Sequence, residues 1–566
     1  MVMAVGCATA PPPASQGALA APTPLVQYTL TVQPRQATVE IDFEHLGANQ
    51  IELSMPQWDG EPIWEDVYDL HAWVAGTDQR LPTKMVEPGR WQVDQIEGRD
   101  IRVRYVVVGR QGALSAATGA VSARRAYTGS EVFVGWGRGL FVVPSVPEAR
   151  VEPWEELRLA VNTPEDWPVA STWGRKETGV RRARDLRDAL LIAGDWRILP
   201  EEVQDADIQM AITGQWKSDE GLVRRQIWKM VAHHAKIFGG YPRNAAVAAI
   251  IPAAEPAVVA VPGGAVFFVP PDADLTTDQV RMRKLARDHL RLWTEELCHP
   301  RQHDIPGSPY RAGHLAWFTE GLTRYLGVRT LMGLGILEPR EFLPMLNGWI
   351  KDYHSNPRAF DTSRPELVSG YDDNADFKKL AVAKGALLGL LLDVELRADS
   401  QGLKTLDILL RKMEQELGYN PHGYTNADIL RLLSDATERP WGDFFQNFVD
   451  GTAPLPVEGL ARGGIIVLEL PFPVYDLGFD ASQPELKGAT ITGVTGDSEA
   501  QRAGVRPGDV IKDIKFEPGR VNIPVKLRLK RPGKRRDVTV EFLPTRNIEM
   551  PVATEMTELF GDWFRR

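Results

Sequence analysis

The chain has 566 residues, 43% hydrophobic and 25% charged, a balance that suits a soluble globular protein of roughly three to four domains. A net charge of −10 gives a nucleic-acid role no electrostatic support. No run of 18 or more apolar residues marks a transmembrane helix, and two cysteines, Cys7 and Cys298, are too few for a disulfide framework.

Residues 1–25 read as an exported N-terminus and flexible linker. Ala4-Val5-Gly6-Cys7 is similar to the lipobox of bacterial lipoproteins, and the Pro- and Ala-rich stretch after it reads as a tether. The resemblance implies a bacterial envelope or periplasmic protein, with any membrane attachment through a lipid on Cys7. Only six residues precede Cys7 and none is basic, so a cytoplasmic location is the alternative.

Residues 26–180 read as β structure. Tyr28–Val32, Ala37–Ile41, Ile101–Tyr105 and Glu156–Val161 alternate apolar and polar side chains, which predicts half-buried strands and an N-terminal β-sandwich. From 181 to 457 the periodicity turns helical. Amphipathic stretches predict helices near 223–235, 278–298, 315–333, 376–397, 403–416 and 426–435. Ala246–Ile251 and Gly264–Val269 are continuous apolar runs that predict buried strands. Residues 458–546 return to β with one short helix, and 547–566 read as a C-terminal helical tail.

Two groups of strings carry resemblance. Leu477-Gly478-Phe479, followed by Ser498-x-Ala500-x-x-Ala503-Gly504-Val505-x-x-Gly508-Asp509-x-Ile511, resembles a bacterial PDZ domain. Such a domain adds a peptide strand to a sheet edge, so the resemblance implies that Leu477, Gly478 and Phe479 bind peptides or protein C-termini. Trp317-Phe318-Thr319-Glu320-Gly321, Lys384-Gly385-Ala386 with Leu392-Asp393 and Arg397, Thr405-Leu406-Asp407, and Phe444-Phe445 with Val449-Asp450-Gly451-Thr452 resemble the glycyl aminopeptidase family of zinc metallopeptidases, peptidase family sixty-one of the metallo class. That family implies a thermolysin-like, gluzincin catalytic domain, here within a multidomain α+β chain.

The departures from the family fall on its chemistry. Its H-E-x-x-H aligns with Arg287-Asp288-His289-Leu290-Arg291, and Val266 and Ala381-Val382 stand where the resemblance implies a substrate-contacting Glu and an oxyanion Tyr. Of the implied zinc ligands only Glu320 is kept. At about 100° per residue, Lys284, Arg287, Asp288 and Arg291 share the arc that would face a cleft. Leu285, His289, Leu292 and Trp293 form the opposite, core-facing stripe. A guanidinium is always protonated and offers no lone pair, so Arg287 and Arg291 cannot ligate zinc. An arginine is expected to pair with Glu320 in place of the cation.

The sequence thus favours a non-catalytic peptidase homologue with no metal and no cofactor, binding peptides through its PDZ segment and degenerate cleft. An active zinc aminopeptidase using His299, His303 or His314 with Glu320 is one alternative. An envelope scaffold or assembly protein is another.

Overall fold

A computed structural model describes residues 25–44, 48–55, 57–58, 61–111, 124–145, 157–173, 179–181, 183–203, 206–297, 312–417, 424–482 and 486–565. Cys7, Cys298, His299 and His303 lie outside the described residues. The chain divides into two compact units.

The first unit runs to Pro200 and takes in Asp207–Gly214 and Ala245–Ala254. Its largest sheet has seven strands, in the order Gly179–Arg181, Leu157–Asn162, Leu25–Gln33, Gln36–Glu44, Ile101–Val107, Val67–Val74 and Arg80–Leu81. The alternation read from the sequence is the cause: along Ile101–Val107 buried side chains recur at every second position. Two four-stranded sheets belong to the same unit. Buried tyrosines fasten a loop into the core. The Tyr28 hydroxyl donates to Val142 O at 2.8 Å, and the Tyr105 hydroxyl donates to Leu140 O at 2.8 Å while accepting from Val142 N at 3.0 Å.

This sheet-rich unit extends past position 180, where the alternation ends. Leu190–Gly194 lies between Val169–Ser171 and Val132–Trp136 in one sheet, and all five of its residues are buried. An apolar run buried on both faces has no period to read. Ala206–Ile212 pairs in parallel with Ala245–Pro252 in the same unit.

The second unit is mostly helical over 215–463. Its framework is α1 (Glu220–Phe238), α2 (Gln279–Arg291), α3 (Thr323–Gly333), α4 (Leu343–His354) and α5 (Ala375–Asp399). Asp219 caps α1 by accepting from Leu222 N, and Asp278 caps α2 by accepting from Arg281 N, each at 3.0 Å. Helix α2 runs into a wide π turn, Leu292–Leu297, and a second such turn, Trp317–Leu322, leads into α3. Glycines set one close crossing. A Cβ on Gly385 would sit 2.0 Å from Trp317 O, and one on Gly321 would sit 2.5 Å from the Gly385 Cα. Two motif glycines therefore exist for backbone contact between the Trp317–Leu322 turn and α5.

Beyond 463 the chain is β again, with a change from the expected tail. Thr545–Met556 is a strand paired along Ile465–Tyr475, and the terminal helix is only Glu558–Arg565. Asn347 on α4 holds this strand, donating to Ala553 O and accepting from Ala553 N, both at 2.8 Å. A long-range strand partner overrides the weak local helical pattern of 547–556. Between the ribbon strands, Phe479, Ile491, Ile511, Val525, Leu527, Leu529 and Phe542 share one small core. Asp509 is fully buried there, clamped by Arg531 at 2.9 and 2.8 Å and by Arg506 N at 3.0 Å.

Candidate functional site

The Arg287–Arg291 segment is the last turn of α2. On one side lies the hairpin of Ala257–Val261 with Gly264–Val269. On the other is α3, at whose Gly327 a Cβ would lie 3.4 Å from the Arg287 Cβ.

Every implied metal-site side chain on the cleft face engages another protein group. Arg287 donates Nε and Nη2 to Asp288 Oδ1, at 3.1 and 2.8 Å. Lys284 Nζ binds Asp288 Oδ2 at 2.9 Å and Pro256 O at 2.6 Å. Asp288 therefore stands between two cations, with its side chain only 10% exposed. Arg291 reaches Glu320 across the helices, Nη2 to Oε1 at 3.3 Å. Of the arginines considered from sequence, the one that meets Glu320 is thus Arg291, while Arg287 folds back onto its neighbour.

These donors do not fit a zinc ion. Two of the three aligned ligand positions hold guanidinium groups, and Asp288 and Glu320 each lie against a cation. Val266 is buried opposite Val259 in the hairpin, and Ala381 is buried on α5. Neither offers a polar atom where the family resemblance implies one. His314 sits half-buried on the short turn Ala312–Leu315.

Behind this face lies an arrangement that sequence reasoning missed. His289 is fully buried and its Nδ1 lies 2.8 Å from Nδ1 of His234 on α1. His234 Nε2 lies 3.0 Å from Thr330 Oγ1, and the Thr330 hydroxyl donates to Leu326 O at 2.9 Å. Thr330 has one proton and spends it on Leu326, so His234 donates from Nε2 and accepts at Nδ1. His289 then donates from Nδ1, which leaves its Nε2 a buried bare acceptor with no hydrogen-bond partner among the described residues. Trp293 closes this pocket, stacked on Phe238 at 4.9 Å and edge-on to His289 at 5.3 Å. Burial holds both imidazoles neutral: it lowers His289 to about 3 and His234 well below the ordinary histidine value, the latter helped by the neighbouring His289. The apolar stripe points to burial of His289, but its partner is 55 residues away in sequence.

In the C-terminal β segment, Gly478 adopts φ +71° and its N–H donates to the Asp476 carboxylate at 2.7 Å. Asp476 is paired in turn with Arg546 at 3.0 Å. Phe479 is buried in the small core and Leu477 packs against it. Phe479–Ala481 pairs with Ile491–Val494 in a two-stranded sheet. Residues 516–524, between Val510–Lys515 and Val525–Lys530, form turns rather than a helix.

Residues 27–188 match the family model of the Peptidase M61 N-terminal domain. No curated protein matches the chain. Among solved structures, an aminopeptidase N family protein from Idiomarina loihiensis is similar with a TM-score of 0.68 at 17% identity, over 95% of this chain and all of that one. An M1 zinc metallopeptidase from Deinococcus radiodurans is similar with a TM-score of 0.44 at 14% identity, over 77% of this chain and 96% of that one. A mutant of that enzyme bound to a Tyr-Ser-Ala substrate gives 0.45 at 14% identity, over the same shares of the two chains. The chain has a peptidase-like fold, with a sheet-rich N-terminal domain and a helical domain.

Proposed function

We propose that this chain uses a peptidase-like fold without peptidase chemistry. The observation that carries the reading is the Arg291–Glu320 ion pair, together with Asp288 held between Arg287 and Lys284. A metallopeptidase site needs neutral imidazole or free carboxylate donors around an open water position, and a carboxylate able to take that water's proton. Here guanidinium groups occupy two donor positions, and both remaining carboxylates are neutralised by protein cations. Metal analysis of the purified protein should give well under one zinc per chain, and glycyl and alanyl peptides should not turn over. Stoichiometric zinc with chelator-sensitive hydrolysis would overturn the reading.

A peptide-binding role belongs to the same proposal. The PDZ-like strings of 477–511 support it, as does the strand Phe479–Ala481, which pairs with a single strand among the described residues. Because the Gly478 amide already serves Asp476, recognition there would rest on main-chain pairing more than on capture of a terminal carboxylate. Equal affinity for a peptide and its C-terminally amidated form is the expected result. A strict need for the free carboxylate would overturn it. The bacterial envelope remains the proposed location, on the lipobox-like Cys7 alone. No described helix is long and apolar enough to cross a membrane.

A further inference from the structure

The cationic character of the cleft goes beyond the positions that replace a metal site. Arg283, Arg287 and Arg291 recur at i, i+4 and i+8 and so line one face of α2. Gly327 brings α3 against that face, since a Cβ there would meet Arg287 Cβ at 3.4 Å and Arg283 O at 3.5 Å. Arg324 lies one turn before Gly327 and so adds a fourth guanidinium at the same crossing.

Two of the four have no carboxylate of their own. Arg283 donates to the Met345 sulfur at 2.7 Å, a weak acceptor. Neither Arg283 nor Arg324 forms an ion pair with a carboxylate among the described residues. Burial lowers the proton affinity of both, helped at Arg283 by repulsion from Arg324 and Arg287 and at Arg324 by repulsion from Arg287, which Asp352 and Glu320 oppose. With Lys284, five cationic side chains share the crossing with the carboxylates of Asp288, Glu320 and Asp352. Half-buried like charges without partners destabilise a fold unless an anion joins them.

We propose that Arg283, Arg287 and Arg324 form a binding site for a dianionic oxyanion, of the phosphate monoester class, at the crossing of α2 and α3. The planar guanidinium fork suits such oxygens. The inference is separate from the loss of catalysis, because Arg283 and Arg324 lie at no motif position.

The test is calorimetric titration of the full chain with inorganic phosphate at pH 8 and constant ionic strength, with malonate as a second arm. Saturable phosphate binding is expected, weakened about tenfold or more in Arg283→Gln and in Arg324→Gln. It should be unchanged in Arg528→Gln, a variant of an exposed arginine on the strand Val525–Lys530. Absence of saturable binding, wild-type affinity in both cleft variants, or equal weakening in Arg528→Gln would overturn the site. Malonate binding with no phosphate binding would reassign it to dicarboxylates and overturn the phosphate class. Should either glutamine variant fail to fold by circular dichroism, Arg283→Lys and Arg324→Lys keep the charge and lose the fork. Weaker binding in them supports the site, and wild-type affinity overturns it.

Discussion

Arg291 Nη2 lies 3.3 Å from Glu320 Oε1, joining the last turn of α2 to the wide turn that precedes α3. The contact puts a fixed protein cation beside the one acidic residue kept from the implied ligand set. A guanidinium in this place cannot be exchanged, chelated or displaced by substrate.

If α2 is still a ligand platform in its backbone, zinc binding should be recoverable. The triple variant Arg287→His, Asp288→Glu, Arg291→His places two imidazoles one turn apart and frees Glu320. About one zinc per chain is expected by metal analysis, against well under one for the parent protein. A variant that folds and stays metal-free would mean that Glu320 does not lie within reach of the helix face.

The two carboxylates should differ in their worth to stability. Asp288 is 10% exposed and binds two cations, so Asp288→Asn should destabilise the protein by about 1–3 kcal/mol. The Arg291–Glu320 pair has both side chains more than a third exposed, and Glu320→Gln should cost only about 0.2–1 kcal/mol. Urea unfolding of the two variants measures the difference, and equal values would contradict the burial argument.

The His234–His289 pair predicts acid sensitivity. Both values are lowered in the folded state, so the unfolded chain binds more protons below about 6.5. Stability is therefore full above pH 6.5 and is lost as pH falls from there toward about 3. The slope for His289 alone is at most about 1.4 kcal/mol per pH unit. Urea midpoints of the double variant His234→Leu, His289→Leu should decline less steeply between pH 6.5 and 4 than those of the parent. Parallel declines would mean that other groups set the acid limit.

Gly385→Ala should invert the usual helix preference. In an ordinary helix interior the change stabilises by about 1 kcal/mol. Here the new Cβ would lie 2.0 Å from a backbone oxygen, Trp317 O, which no rotamer change relieves. A loss of about 3 kcal/mol or more is expected, read as a lower melting temperature. The same change at Gly348, where a Cβ meets nothing within 4 Å, should be neutral or stabilising.

Much of this fold was legible because its signals are local. The alternation of Ile101–Val107 and the 3.6-residue stripe of 278–298 each depend on side chains within a turn or two. The strand at 547–556 was read as helical tail, and Leu190–Gly194 gave no sign that it extends the β unit, because a strand's partner need not be near it in sequence.

The site divides along the same line. Chemistry that depends only on residue type was decided by the sequence alone: guanidinium at positions 287 and 291 excludes ligation wherever those side chains point. Which arginine meets Glu320 depended on the crossing of α2 with the segment before α3, and that crossing placed Arg291 there while Arg287 turned to Asp288. The His234–His289 contact, the backbone approach of Gly321 to Gly385 and the Arg283–Met345 contact likewise arise from packing between distant segments. Residue identity sets what a group can do, and only the tertiary structure sets what it is near.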